Sequence, residues 1–133
     1  MSSFQPSSIL RTALIADAAA SGVSAVLMLA GASMLERFTG LPAALLRGAG
    51  LILIPFVAFV GYLAAQARLT GAAVWAVIVC NALWVMGSTL LLLGGWVAPT
   101  TLGYAFVIAQ AVAVAVFVEL QYIGLRRPSQ ITA

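Results

Sequence analysis

The feature that most constrains this chain is an almost continuous run of apolar sequence, which polar residues interrupt at only three short places. The 133 residues are 64% hydrophobic and 7% charged, and their mean hydropathy is +1.16. A water-soluble domain of this size has no room to bury so much apolar surface, because a large part of it must face water. A lipid bilayer suits the composition, so we expect an integral membrane protein.

Four apolar stretches are each long enough to cross a bilayer as a helix, which takes about 20 residues at about 1.5 Å rise per residue. They cover residues 9–35, 42–67, 72–96 and 100–125. The sequence therefore predicts an all-α fold, a bundle of four transmembrane helices with short loops that forms a single domain over residues 1–133. The first stretch is longer than the apolar region of a signal peptide, and Asp17 interrupts it early, so we interpret it as a retained span.

The arginines predict the orientation of the bundle. An even number of spans puts both termini and the second turn on one side of the membrane. That side carries four arginines, whereas the other side carries Arg37 and Arg47, partly offset by Glu36. The positive-inside rule therefore places both termini in the cytoplasm. The predicted topology anchors are Arg11, Arg68, Arg126 and Arg127.

A faint internal repeat relates the two halves of the chain. Sliding the sequence by 64 residues lays Asp17 on Asn81 and Ser24 on Ser88. The halves would then be parallel copies of a helical hairpin. Helices rich in alanine and leucine also match by chance, and the second and fourth spans align poorly. Both duplication and coincidence stay open at this point.

Two carboxylates lie within the spans, where a charged side chain costs several kcal/mol. Asp17 lies about 9 Å inward from Arg11, and Glu119 about 10 Å inward from Arg126, at 1.5 Å rise per residue. The two helices run in opposite directions, so both acids fall at a similar depth. They either face each other or a cavity and share a proton, or each pairs with an arginine at the headgroups.

The third and fourth spans carry further polar residues at helical spacing. Asn81, Trp84 and Ser88 form one stripe of the third span, and Gln110 is in line with Phe106 and Phe117 on the fourth. One interpretation is an aromatic-lined pocket for a flat apolar cation or a lipid. The other, which we favour, is interhelical hydrogen bonding, worth about 0.6 kcal/mol per bond on average in membranes.

Several kinds of chemistry lack the residues they need. The chain has no histidine, which excludes a Ser-His-Asp triad, bis-imidazole haem ligation and the commonest metal ligand. Cys80 is the single cysteine, so an internal disulfide is impossible, and we expect an inert packing residue buried in the third span. We therefore predict no enzyme activity, no metal and no cofactor.

These observations favour a small polytopic protein of the bacterial inner membrane. Its first span is rich in small residues, which let another helix approach closely. The leading hypothesis is a non-enzymatic oligomerising or accessory subunit of a membrane complex. Its partners would be membrane lipid and either further copies of the chain or a larger membrane complex, with no nucleic acid. The alternative is a small proton-coupled transporter or channel for cationic or apolar solutes, which uses Asp17 and Glu119.

Overall fold

A computed structural model describes residues 3–126 and confirms the all-α architecture. Four of its helices are long and apolar enough to cross a membrane, so the chain has the architecture of a multi-pass membrane protein. The elements in chain order are β1 (Ser3–Phe4), α1 (Ser8–Ala30), α2 (Ala32–Thr39), α3 (Ala43–Ala65), β2 (Leu69–Thr70), α4 (Gly71–Leu93) and α5 (Thr101–Arg126).

The first apolar stretch differs from the prediction, because it is two helices rather than one. α1 ends at Ala30, and α2 begins at Ala32 after a break at Gly31, where φ is −110° and ψ is 19°. Glycine is a poor helix former, which favours a break at this point. The predicted span over residues 9–35 was therefore too long at its end, whereas the other three helices agree with the prediction to within a few residues.

The helices form an arc rather than a closed ring. α1 lies between α3 and α5, and α4 packs against α5, whereas α3 and α4 make no extensive backbone contact. The strands β1 and β2 pair antiparallel, with Ser3 opposite Thr70, which brings the start of the chain to the turn between α3 and α4. The Ser7 hydroxyl donates a hydrogen bond to the Gly124 carbonyl at 3.2 Å, which brings the end of α5 to the same place. We call this the terminal end of the bundle and the opposite end the α2 end.

Local sequence explains where the helices begin and end. Ser7 and Thr70 precede α1 and α4, and their hydroxyls accept hydrogen bonds from the amides of Leu10 and Ala73. Such bonds satisfy amide groups that lack a partner in the first turn of a helix. Gly40 ends α2 with φ of 74°, a left-handed conformation that glycine adopts at low cost.

Two hydrophobic clusters hold the bundle together, one near each end. The cluster at the terminal end consists of Leu10, Leu14, Val60, Leu63, Leu69, Val74, Val77 and Ile78. The cluster at the α2 end consists of Ala25, Met28, Ala32, Leu41, Leu46, Leu53 and Val107. Phe56 packs against both clusters from the middle of α3. The space between the clusters is where the candidate site lies.

Two glycines of α5 allow very close packing at both ends of the bundle. A Cβ atom at Gly124 would lie 2.8 Å from the backbone nitrogen of Leu10 in α1. A Cβ atom at Gly103 would collide with the carbonyl oxygen of Thr39 at the end of α2. The absence of a side chain is therefore what lets α5 reach the other helices.

Three of the predicted topology anchors also make hydrogen bonds. Arg11 donates to the carbonyl oxygens of Ala64 and Gln66, where α3 ends. Arg68 donates to the backbone oxygen of Ser3 at 2.8 Å, and Arg126 donates to the Tyr122 hydroxyl at 2.7 Å. The fourth predicted anchor, Arg127, lies outside the described residues.

Candidate binding cavity and buried carboxylate

A fully buried carboxylate lies at the junction of three helices. Asp17 of α1 has 0% of its surface exposed. Its Oδ2 atom accepts hydrogen bonds from Asn81 Nδ2 of α4 at 2.6 Å and from Gln121 Nε2 of α5 at 2.8 Å. Its Oδ1 atom accepts one from the Ser21 hydroxyl at 3.2 Å. Three hydrogen-bond donors therefore surround this one carboxylate.

The amide groups around Asp17 also bond to each other. Asn81 Nδ2 donates to Gln121 Oε1 at 3.3 Å, in addition to its bond to Asp17. Both amides turn their nitrogen atoms toward Asp17, and Gln121 turns its oxygen toward Asn81. These four side chains, Asp17, Ser21, Asn81 and Gln121, form a unit that we call the carboxylate cluster. It ties α1, α4 and α5 together.

The other predicted membrane acid, Glu119, does not join this cluster. Its side chain is exposed on the outside of α5. Glu119 and Gln121 are two residues apart, so at about 100° per residue they lie on opposite faces of the helix. The structure therefore does not bring Asp17 and Glu119 together. Within residues 3–126, the hydrogen-bond donors to Asp17 are amide and hydroxyl groups and include no arginine.

The predicted polar residues of α4 and α5 form a second group. Trp84 Nε1 donates to Gln110 Oε1. Gln110 Nε2 donates in turn to the Ser88 hydroxyl at 3.0 Å and to the Val107 carbonyl at 2.9 Å. The Ser88 hydroxyl donates to the Trp84 carbonyl at 2.8 Å. Trp84, Ser88 and Gln110, which we call the tryptophan cluster, join α4 to α5 alone.

A cavity of about 580 Å³ lies between the two hydrophobic clusters and is lined by all four long helices. Most of its wall is apolar, and four phenylalanines contribute to it: Phe56, Phe59, Phe106 and Phe117. Its polar residues are Ser21, Ser24, Asn81, Trp84 and Gln110. A mostly apolar cavity with a few convergent polar groups is typical of sites for small molecules. Asp17 is not part of the wall, but two of its hydrogen-bond donors are.

The cavity opens toward the side of the bundle, between α3 and α4. The large lining side chains Ile52 of α3 and Leu83 of α4 are 66% and 59% exposed. These two helices lack the extensive backbone contact that the other neighbouring helices make. In a membrane this side of the bundle faces lipid tails. The opening is therefore suited to molecules that dissolve in the bilayer.

Pro55 lies in the wall of the cavity, in the middle of α3. A proline has no backbone N–H, so the carbonyl of Leu51 loses its usual helical hydrogen bond. Such an interruption is tolerated in membrane helices and permits bending. α3 therefore has a weak point at the height of the opening.

Cys80 also lines the cavity, and its position differs from the prediction. The sequence analysis expected a buried packing residue, but the thiol is exposed at the cavity wall. The reason is the open side of the bundle, because α3 does not cover α4 there. Cys80 is therefore accessible from the bilayer.

Ser21 and Gln121 are the two members of the carboxylate cluster that the sequence analysis did not single out. Gln121 lies five residues before Arg126, near the end of α5. One signal was present, however. Gln110 and Gln121 are 11 residues apart, close to three full helical turns, so both face the bundle interior. That face excludes Glu119, which lies on the other side.

The cavity combines an apolar wall with a few polar side chains, an arrangement suited to binding a small molecule. Within residues 3–126, no group of three or more His, Cys, Asp or Glu side chains is placed to hold a metal ion. Comparison with known protein families, with curated proteins and with solved structures finds no match for this chain. The residues that line the cavity are therefore the basis for inferring its function.

Proposed function

We propose that this protein is a non-enzymatic membrane subunit that holds a mostly apolar molecule taken from the bilayer. The observation that carries the proposal is the cavity of about 580 Å³, which all four long helices line and which opens sideways between α3 and α4. Lateral opening suits a ligand that dissolves in lipid. The few polar side chains in an apolar wall would fix its orientation.

Native mass spectrometry of the purified protein tests this proposal. We expect the wild type to carry a lipid-soluble molecule in a ratio of about one to one. Ala113 lines the cavity, so Ala113→Trp fills it and should abolish this adduct. Ala109 is exposed on the same helix and lies outside the cavity wall, so Ala109→Trp is the matched control. Equal adducts on all three proteins would contradict the proposal.

The subunit is also proposed to associate with itself or with a larger membrane complex. Glu119 supports this proposal, because it is an exposed carboxylate on α5 two residues from Gln121, which lies at the depth of Asp17. A carboxylate that faces lipid at this depth costs several kcal/mol, so a neighbouring helix with a donor would stabilise it. Glu119→Gln should therefore weaken any oligomer seen in the native mass spectra, and a strictly monomeric wild type would contradict the association.

Proton-coupled transport is the second candidate function, and Asp17 is the residue that favours it. A buried carboxylate in a span is a common coupling group in transporters, and Ser21 and Asn81 connect this one to the cavity. In this proposal Asp17 alone takes the coupling role that the sequence suggested for both acids. Flux of a cationic dye into proteoliposomes under a pH gradient should be lost in Asp17→Asn and kept in Glu119→Gln. Parental flux in both variants would exclude the proposal.

For the orientation, we propose that the terminal end faces the cytoplasm of a bacterial inner membrane. Arg11, Arg68 and Arg126 at that end support it through the positive-inside rule. In a Cys80→Ala background, an impermeant thiol reagent on intact cells should label Phe38→Cys at the α2 end and leave Ser3→Cys unlabelled. Both positions are suitable because both side chains are exposed. The reverse labelling would invert the assignment.

A further inference from the structure

The hydrogen-bonding groups of the cavity specify the chemistry of its ligand beyond its being apolar. This inference rests on the proposed binding function. A ligand can form hydrogen bonds only with those donors and acceptors of the cavity wall that are not already paired within the protein.

The nitrogen-bound donors of the cavity wall are all used within the protein. Asn81 Nδ2 donates to Asp17 and to Gln121. Trp84 Nε1 donates to Gln110, whose own amide nitrogen donates to the Ser88 hydroxyl and to the Val107 carbonyl. The Ser21 hydroxyl hydrogen points to Asp17. None of these groups has a hydrogen left for a ligand.

The acceptors, in contrast, are free. Asn81 is only 3% exposed, and its Oδ1 atom accepts no hydrogen bond from residues 3–126. Each fully buried side-chain nitrogen or oxygen among these residues has a partner, so Asn81 Oδ1 must keep accessible surface. Asn81 lines the cavity, and the accessible oxygen therefore faces it.

Two serine oxygens of α1 complete the acceptor group. Ser21 and Ser24 lie one turn apart and both line the cavity. The Ser21 oxygen has lone pairs left after it donates to Asp17. The Ser24 hydroxyl makes no hydrogen bond with residues 3–126, so it is free to accept as well as to donate. These oxygens together with Asn81 Oδ1 form one polar patch in a largely apolar wall, and Asp17 lies directly behind it.

We infer that the cavity takes an apolar molecule whose polar end donates hydrogen bonds, an alcohol or an amine. A ketone, a quinone or an ester offers only acceptors, for which the cavity side chains described above leave one free donor, the Ser24 hydroxyl, whereas an alcohol or an amine can donate to each oxygen of the patch. A carboxylate would in addition bring its acceptor oxygens toward those of Asp17. An unpaired polar group in a desolvated site loses its bond to water without replacement, which disfavours these classes.

A matched series of cage compounds tests the inference on the full chain in lipid nanodiscs. The readout is the fluorescence of Trp84 in a Trp75→Phe, Trp96→Phe background, since Trp84 is then the only tryptophan and lines the cavity. The probes are 1-adamantanol, protonated 1-adamantylamine, 2-adamantanone, adamantane-1-carboxylate and N,N,N-trimethyl-1-adamantylammonium. Affinities are expressed relative to the probe concentration in the lipid, so that differences in partitioning cancel.

We expect the alcohol and the amine to bind at least about tenfold more tightly than the ketone and the carboxylate. The trimethylammonium probe has a positive charge and no N–H, so it should also bind about tenfold more weakly than the amine. Ser24→Ala removes a free hydroxyl without breaking a hydrogen bond and should weaken alcohol binding about fivefold. Thr89→Ala removes a hydroxyl from α4 outside this cavity and is the control.

Three outcomes would overturn the inference. Equal affinity of ketone and alcohol would show that donation does not matter, while the proposed binding function would stand. Equal affinity of the trimethylammonium probe and the amine would show that charge alone selects the ligand. No response of Trp84 to any probe would overturn the inference together with the binding function itself.

Discussion

Two pairs of long helices bring the first half of the bundle (α1 and α3) beside the second half (α4 and α5), and the two pairs differ in how closely they pack. We call the boundary between α1 and α5, which pack closely, the closed seam. We call the boundary between α3 and α4, which do not, the open seam. The 64-residue shift relates α1 to α4 and α3 to α5, so under that shift the two seams would be equivalent. Gly124 and Gln121 of the closed seam fall on Val60 and Val57 of α3. The closed seam therefore has a glycine and an amide where the shift places valines in α3, and Val60 is buried in the cluster at the terminal end.

The difference teaches that the cavity comes from the absence of close packing along one side. Gly124 and Gly103 let α5 approach α1 and α2 at both ends of the bundle, and the Asp17–Gln121 hydrogen bond joins the seam between them. The open seam is covered only near the terminal end, by the cluster that includes Val60 and Val77. Gly124 and the carboxylate cluster lie at the closed seam, whereas Gly61 and Cys80 lie on the helices of the open seam, so the two sides can be changed separately.

The largest effect should come from a side chain at Gly124. Gly124→Leu places atoms where Leu10 already lies, since even a Cβ atom would be 2.8 Å from the Leu10 nitrogen. We expect a loss of about 3 kcal/mol or more in unfolding free energy. The reference is Gly61→Leu in α3, where a Cβ atom meets nothing within 4 Å. Unfolding in mixed micelles of mild detergent and dodecyl sulfate measures both, and equal losses would refute the contrast.

A smaller effect should separate the two polar clusters. Asn81→Leu removes one of three donors from the buried Asp17 carboxylate and should cost about 1–3 kcal/mol, the range for depriving a buried polar group of a partner. Gln110→Leu breaks the tryptophan cluster, which is partly buried and joins only α4 and α5, and should cost about 0.6 kcal/mol. The same unfolding assay compares them. If Gln110→Leu proves the more costly, the carboxylate cluster is not the stronger connection.

The smallest effect concerns accessibility and leaves stability unchanged. Cys80 is exposed beside the open seam, so an apolar maleimide should label it in nanodiscs. Ala25 is 1% exposed within the cluster at the α2 end, so Ala25→Cys in a Cys80→Ala background should react at least about tenfold more slowly. Mass spectrometry follows the adduct over time. Similar rates at the two positions would mean that the α3–α4 side is as closed as the rest.

Much of the fold follows from composition alone, because hydrophobic length decides which segments can span a bilayer. The four long helices could be predicted in this way. The break at Gly31 could not, since Ala30, Gly31 and Ala32 are all compatible with a continuing membrane helix. Whether a single glycine ends a helix depends on the packing around it, which the sequence does not specify.

The sequence identified most residues of the candidate site but not which of them contact each other. Polarity within the spans singled out Asp17, Asn81, Trp84 and Gln110, because the bilayer penalises such residues. Depth along the helix could also be estimated, and it suggested a pairing of Asp17 with Glu119. The sequence did not give the rotation of α5 about its own axis. This rotation turns Gln121 toward Asp17 and leaves Glu119 on the outside of the bundle. The open seam was equally hidden, because α3 and α4 have the same apolar composition whether or not they pack closely.

The carboxylate cluster has a consequence for how the chain is made. Asp17 is synthesised 64 residues before Asn81 and 104 residues before Gln121. At a translation rate of about 5–20 residues per second, the carboxylate waits about 5–20 s for its last donor. During that time Ser21, on the same helix, is its only partner from the cluster. The nascent first helix therefore needs another partner for Asp17, such as the insertion machinery, until the last helix has been released from the ribosome.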